Sequence, residues 1–143
     1  MMELREAASL LGLSLSPAAR SSDVAYLDLI ERGVPVRALE RLSSVLAPYD
    51  GHFKYRIVPK ASLARVQAQG RLNSTQSVLL ARIASVWALA LRIWKSEEAT
   101  REFLFRAHPV LSGRRPMDLV LENEIGADLV RSVLGRLEAG TAA

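Results

Sequence analysis

Apolar residues recur at steps of three and four along most of this chain, which is the spacing of one face of an α-helix. The widest such face falls between residues 79 and 94, where Trp87 and Trp94 lie seven residues apart and so on nearly the same side. A second run repeats at the same steps between residues 125 and 137. No segment shows a convincing strand alternation. The pattern therefore predicts an all-α fold, a small multi-helix bundle.

Polar residues and glycines at the ends of these runs predict where the helices begin and end. Asn73, followed three residues later by Gln76, has the pattern of a capping box. Ser96 and Asn123 stand where a side-chain oxygen can accept from the first free amides of a helix. Gly140 is expected to end the last helix.

Two stretches lack a clear period. Residues 12–22 are rich in serine and contain Pro17, a composition typical of a loop or linker after a short N-terminal helix around Leu4 and Leu10. Residues 52–58 place aromatic and aliphatic side chains without a helical period. A short helix and an extended segment both remain open there.

Composition narrows the class of protein. With 143 residues, 50% hydrophobic and 24% charged, the chain is long and apolar enough to bury a core. It has no cysteine, which favours a reducing, cytoplasmic location, and its first residues do not have the pattern of a signal peptide. The apolar stretch of residues 81–94 contains Arg82 and Arg92 and is expected to be too short and too charged to cross a membrane.

Candidate chemistry is sparse. His52 and His108 lie in loop-like stretches without an acidic or thiol partner at a recognisable spacing. The glycines are isolated and form no phosphate-binding loop. We therefore expect no catalytic residues, no metal site and no cofactor, and a protein that is not an enzyme.

A degenerate helix-turn-helix is the interpretation of residues 49–69. Residues 52–57 would support a recognition helix at residues 60–69, and the net charge of +4 is compatible with DNA. The alternative is the solvated face of an ordinary short helix. The predicted DNA-binding residues are Lys60, Ser62, Arg65 and Arg71.

The face that carries Trp87 and Trp94 has two interpretations. Packing in the core of one chain is the first. A dimer or partner interface is the second, because tryptophan is enriched in interface hot spots. The breadth of the face between residues 78 and 94 leads us to expect a homodimer.

The order of motifs between residues 72 and 140 resembles a known domain. The sequence WKSEEA begins at Trp94, GRRPMDL covers residues 113–119, and LGRLEAG covers residues 134–140. This order is similar to the toxin-binding domain of Xre/MbcA/ParS antitoxins, which pair with RES-type toxins that break down NAD. One departure is Arg115, which stands where family members usually have a threonine.

The resemblance implies an antitoxin of a type II toxin-antitoxin system. It would occlude the NAD site of a RES-type toxin with its last helix and its tail, and it would repress its own operon by binding operator DNA. The alternatives are a stand-alone helix-turn-helix regulator and a non-catalytic adaptor. The implied toxin-binding residues are Gly113, Arg114, Arg115, Pro116, Leu119, Arg136, Gly140 and Thr141.

The resemblance also sets the expected domain organisation. Residues 1–22 would form the N-terminal helix and linker, residues 23–72 the helix-turn-helix region, and residues 73–143 the toxin-binding domain.

Overall fold

The computed structural model describes the backbone of residues 2–13 and 23–142, and the side chains of residues 5–13 and 23–140. All regular elements within these ranges are helical, without a β-strand, which confirms the predicted all-α class. Eight α-helices and two 3-10 helices follow one another along the described chain. They are α1 Met2–Leu10, α2 Asp23–Arg32, α3 Val36–Leu46, η1 Phe53–Arg56, α4 Lys60–Gln69, α5 Ser74–Trp94, α6 Glu97–Leu104, η2 Pro109–Leu111, α7 Pro116–Glu122 and α8 Glu124–Ala142.

Three helices begin at the predicted caps. Before α5, Asn73 Oδ1 accepts from the Gln76 amide at 2.7 Å, and the Gln76 side chain accepts from the Asn73 amide at 3.0 Å. The capping box is thus formed in both directions. Ser96 Oγ and Asn123 Oδ1 each accept the backbone amide three residues later, at 3.1 Å and 2.9 Å, and so cap α6 and α8.

The chain divides into two compact units, Met1–Ser85 and Val86–Ala143. We call them the N-terminal unit and the C-terminal unit. The division falls inside α5, whereas the sequence places domain boundaries after residues 22 and 72. Those two boundaries stay predictions.

The N-terminal unit is held together where α2 ends. Gly33 has φ of +97°, a conformation that glycine adopts without a steric penalty. The Leu72 amide donates to the Val34 carbonyl at 2.9 Å, and the Val34 amide donates to the buried Ser77 hydroxyl at 3.0 Å. The segment after α2 is therefore anchored to the start of α5. Apolar side chains that are fully or almost fully buried build the core: Leu39, Leu42, Leu46, Phe53, Val58, Val66 and Leu80.

The C-terminal unit packs α7 and α8 closely together. Buried positions recur in α6, α7 and α8 at the three- and four-residue steps that mark a helix face. Its core consists of Trp87, Phe103, Leu104, Met117, Val120, Val130 and Leu134.

Two local expectations are settled by the fold. Residues 52–58, left open by the sequence, contain the 3-10 helix η1. The prediction that Gly140 ends the last helix is wrong, because α8 continues to Ala142. Glycine permits the left-handed conformation that ends helices but does not impose it, and Gly140 has no positive φ. Most of the linker predicted at residues 12–22, and Ala143, lie outside the described residues.

Helix α5 is longer than its apolar stretch suggested. It has 21 residues and is, by length and composition, the one helix of the described chain that could cross a membrane. The expectation that it is too short is therefore not met. Ile83, Ala84 and Val86 in its middle are fully buried inside the protein. Buried core helices of this length pass the same composition test.

Candidate functional site

A tight loop between α6 and α7 is closed by backbone hydrogen bonds. The His108 amide donates to the Arg114 carbonyl at 3.2 Å, and the Gly113 amide donates to the His108 carbonyl at 2.9 Å. Ser112 and Gly113 both have positive φ, at 57° and 79°. Glycine adopts this conformation readily, which explains its place in the motif. The loop therefore has a defined shape and presents Gly113 and Arg114 at the surface.

The His108 side chain supports this loop. Its Nε2 lies 2.9 Å from the Phe103 carbonyl oxygen, which can only accept, so Nε2 donates. The centroids of the His108 imidazole and the Phe103 ring lie 5.0 Å apart. His52 is exposed and belongs to the N-terminal unit. Within the described residues, no group of three or more histidine, cysteine, aspartate or glutamate side chains could hold a metal ion.

The arginines of the 113–119 motif are paired with carboxylates. Arg115 stands at the N-cap of α7, where its side chain has no acceptor for the free amides. Its guanidinium instead donates two hydrogen bonds to the Asp118 carboxylate, both at 2.9 Å. These bonds raise the pKa of Arg115 above its ordinary value, because they favour the charged form. Arg114 forms an ion pair with Glu122 at 2.5 Å.

Helix α8 approaches α7 at Gly126. A Cβ at this position would collide with the carbonyl oxygen of Leu119, whose carbonyl carbon would lie only 2.7 Å away. Only glycine fits without movement of the backbone. Pro116 and Leu119, both predicted to contact a partner, are buried.

The outer face of α8 is the feature that the sequence pattern did not reveal. Ile125 and Leu129 belong to the apolar repeat that predicted a buried stripe, yet they are 72% and 51% exposed. The inward face instead begins with Gly126 and Ala127, because the close approach to α7 leaves room only for small side chains. The sequence signal for this inward face was the pair of small residues Gly126 and Ala127, followed by Val130 at a helical step.

The predicted residues near the C-terminal end of α8 are solvent-facing. Arg136 and Gly140 are exposed. Arg136 has no ion-pair partner in the part of the chain that the structure describes. The side chain of Thr141 lies outside the described residues.

The two tryptophans lie in different environments. Trp87 is 2% exposed, with the Arg101 guanidinium 5.8 Å from its ring centroid. Trp94, at the end of α5, is 39% exposed and lies 5.6 Å from the Phe103 ring. Trp87 is therefore a core residue, and Trp94 only partly so. Most of the face that suggested a homodimer is buried within one chain.

In the N-terminal unit, α4 places the predicted DNA-binding residues unequally. Lys60 and Arg65 are exposed, and Ser62 is half-buried. Arg71 follows α4, and its Nη1 donates to the carbonyl of Gly33 at 2.5 Å. Arg71 thus has a structural role in this unit, whereas Lys60 and Arg65 face solvent.

A charge pattern around α4 adds residues that motif reasoning missed. Between residues 51 and 96 the sequence has eight lysines and arginines and no aspartate or glutamate. Lys54 and Arg56 in η1 belong to this segment, next to α4. Lys54 also pairs with Glu40 at 3.4 Å. Counting charge by segment rather than over the whole chain would have found them.

Comparison with known protein families places the loop, α7 and most of α8 in one domain. Residues 89–140 match the family described as the antitoxin Xre/MbcA/ParS C-terminal toxin-binding domain. The match confirms the resemblance seen in the sequence and includes the 113–119 motif and Gly126. No curated protein matches this chain. Residues 89–140 of the chain are thus similar to the antitoxin Xre/MbcA/ParS C-terminal toxin-binding domain.

Proposed function

We propose that this protein is the antitoxin of a type II toxin-antitoxin system, which binds an NAD-degrading RES-type toxin in the cytoplasm and occludes its NAD site. The observation that carries the proposal is the family match of residues 89–140. The surfaces of this segment fit a binding role. The loop is fixed by backbone bonds, and its histidine is used to support it.

Occlusion requires a rigid body rather than reactive groups. Gly126 locks α8 against α7, and α8 extends for 19 residues, or about 28 Å at 1.5 Å per residue. A helix of this length can reach from a docking surface into a neighbouring cleft. The exposed C-terminal half of α8, with Arg136 and Gly140, is the part that we assign to the entrance of the NAD site.

Co-expression with the reading frame beside the gene tests this proposal. The toxin alone should stop growth and lower cellular NAD, and co-expression of this chain should restore both. A growth arrest without NAD loss would contradict the RES-type assignment. A toxin that stays active beside equal amounts of this chain would contradict the antitoxin role and favour a stand-alone regulator or an adaptor.

We propose a second role, repression of its own operon, for the surface formed by η1 and α4. Its support is the segment without carboxylates and the exposure of Lys60 and Arg65. Exposed cations bind the DNA backbone and release counterions, so affinity should fall steeply with salt. A gel shift on the upstream region of the gene at two salt concentrations tests this role. No shift at low salt would contradict it.

A homodimer would suit operator binding, because helix-turn-helix proteins bind paired half-sites as dimers. Support from the apolar face is limited to its ends, where Val78 is 43% exposed and Trp94 is partly exposed. Light scattering of the purified chain at micromolar concentration tests the dimer, and a monomer mass would contradict it.

A further inference from the structure

Four exposed side chains form a continuous line along α8. Ile125, Leu129, Ser132 and Arg136 are separated by steps of four, three and four residues and therefore share one helix face. The opposite face is the buried one that packs on the rest of the C-terminal unit. We call these four residues the α8 ridge. It is apolar at its first half and cationic at its far end.

The charged residues beside the ridge are engaged in ion pairs. Arg131 binds Glu124 at 2.6 Å and Asp128 at 2.7 Å. Glu138 is paired with Arg92 at 3.3 Å. Arg136 is the exception, since it is exposed and has no ion pair with any described residue. The ridge thus presents two large apolar side chains and one available cation.

A second copy of this chain fits the ridge poorly. In an antiparallel two-fold contact centred on the ridge, Ile125 would face the partner's Arg136 and Leu129 would face the partner's Ser132. In a parallel contact, two arginines would face each other. Each arrangement sets a cation against an apolar group or a like charge, which is unfavourable in a desolvated interface. A different protein is the better occupant.

We propose that the α8 ridge is the primary docking surface for the toxin, separate from the 113–119 motif, and that its Arg136 end adjoins the last residues of α8 that cover the NAD site. This proposal rests on the proposed function. The toxin is then expected to have an apolar groove that binds Ile125 and Leu129 and a carboxylate that binds Arg136. The step of eleven residues from Ile125 to Arg136 sets these two features about 16 Å apart.

The first experiment co-expresses the tagged product of the neighbouring reading frame with the full-length chain. Variants are Ile125→Glu with Leu129→Glu, and Arg136→Glu. The matched control is Leu27→Glu, because Leu27 is 52% exposed, much like Leu129, but lies on α2 in the N-terminal unit, outside the ridge and the 113–119 motif. Circular dichroism of each variant checks that the helices remain.

The double variant should lose toxin capture and rescue by about a hundredfold or more, because it places two carboxylates in an apolar contact. Arg136→Glu should weaken capture by about tenfold or more. Leu27→Glu should bind like the wild type. Full capture by the folded double variant would overturn the proposal.

Two further outcomes are distinguishable. If wild-type chain neither captures nor neutralises the toxin, the proposed function fails, and the docking surface fails with it. If wild-type chain is a dimer by light scattering and the double variant is a monomer, the occupant is a second copy. That result would overturn this inference while leaving the antitoxin role intact.

Discussion

Each unit contains one glycine that faces a carbonyl oxygen of a neighbouring segment, and the two glycines occupy different local structures. Gly33 lies against the carbonyl of Leu72 in the N-terminal unit, and Gly126 against that of Leu119 in the C-terminal unit. Gly33 also has positive φ and follows a helix, so its position predicts a helix end. Gly126 lies inside α8, where nothing local requires a glycine.

The candidate surfaces of the two units have different physical origins. In the N-terminal unit, the candidate surface depends on charge, and counting lysines and arginines locates it. In the C-terminal unit it depends on shape, because the contact at Gly126 decides which side of α8 faces solvent. The resemblance of motifs identified the C-terminal domain. The apolar periodicity, in contrast, predicted Ile125 and Leu129 on the buried face of α8, whereas both are exposed.

The largest effect is expected at Gly126. Gly126→Ala should destabilise the C-terminal unit by about 3 kcal/mol, because the added methyl group forces backbone apart rather than a flexible side chain. The matched control is Gly135→Ala in the same helix, where a Cβ meets nothing within 4 Å. That change should stabilise the chain by about 0.5–1 kcal/mol. Urea unfolding followed by circular dichroism measures both, and equal effects would contradict the role of Gly126.

The sequence predicted a large part of the fold, for physical reasons that are visible in particular residues. A capping side chain bonds to an amide within the same helical turn, so the local sequence was enough to predict the caps Asn73, Ser96 and Asn123. The direction that α8 presents to solvent depends on a contact with α7, which periodicity alone does not encode. The structural role of Arg71 also depends on a distant contact and could not be predicted locally, because its acceptor, the Gly33 carbonyl, lies 38 residues away.

The second prediction concerns alkaline pH and the N-terminal unit. Burial raises the pKa of Tyr26 to about 12, and its hydroxyl has no hydrogen-bond partner among the described residues. Above pH 10 the unfolded chain loses this proton while the folded chain keeps it. Stability should therefore fall between about pH 10 and 12, by on the order of 2 kcal/mol.

Tyr26→Phe provides the control for this titration. It removes the ionisable group and an unsatisfied buried hydroxyl, so stability at neutral pH should stay equal or rise. The difference between the two pH profiles, measured by thermal unfolding, isolates Tyr26. Parallel profiles between pH 10 and 12 would contradict the assignment.

The third prediction separates structure from DNA binding within the N-terminal unit. Arg71→Ala should lower the free energy of unfolding by about 1.5 kcal/mol, because it removes a charged donor from the Gly33 carbonyl. Arg65→Ala should change stability by less than about 0.5 kcal/mol, since the side chain faces solvent. In the gel shift, Arg65→Ala should weaken binding and reduce its salt dependence. Equal stability of the two variants would contradict the structural role of Arg71.

The smallest effects are expected at helix caps, one on each side of the division between the units. Asn73→Ala removes the acceptor for the Gln76 amide at the start of α5, and Ser96→Ala removes the equivalent acceptor at the start of α6. Each change should cost about 1 kcal/mol. Asn73→Ser and Ser96→Asn are the matched controls, because both residues retain an oxygen suited to an N-cap, and they should recover most of the loss.

The pair of caps also tests how far the two units unfold together. If the protein unfolds in one transition, both variants should shift the same midpoint and leave its slope unchanged. If the units unfold separately, Asn73→Ala should shift the transition of the N-terminal unit and Ser96→Ala that of the C-terminal unit. Because α5 is capped by Asn73 and runs through the division, we expect a single transition. Two resolved urea transitions, each moved by one variant alone, would contradict that expectation.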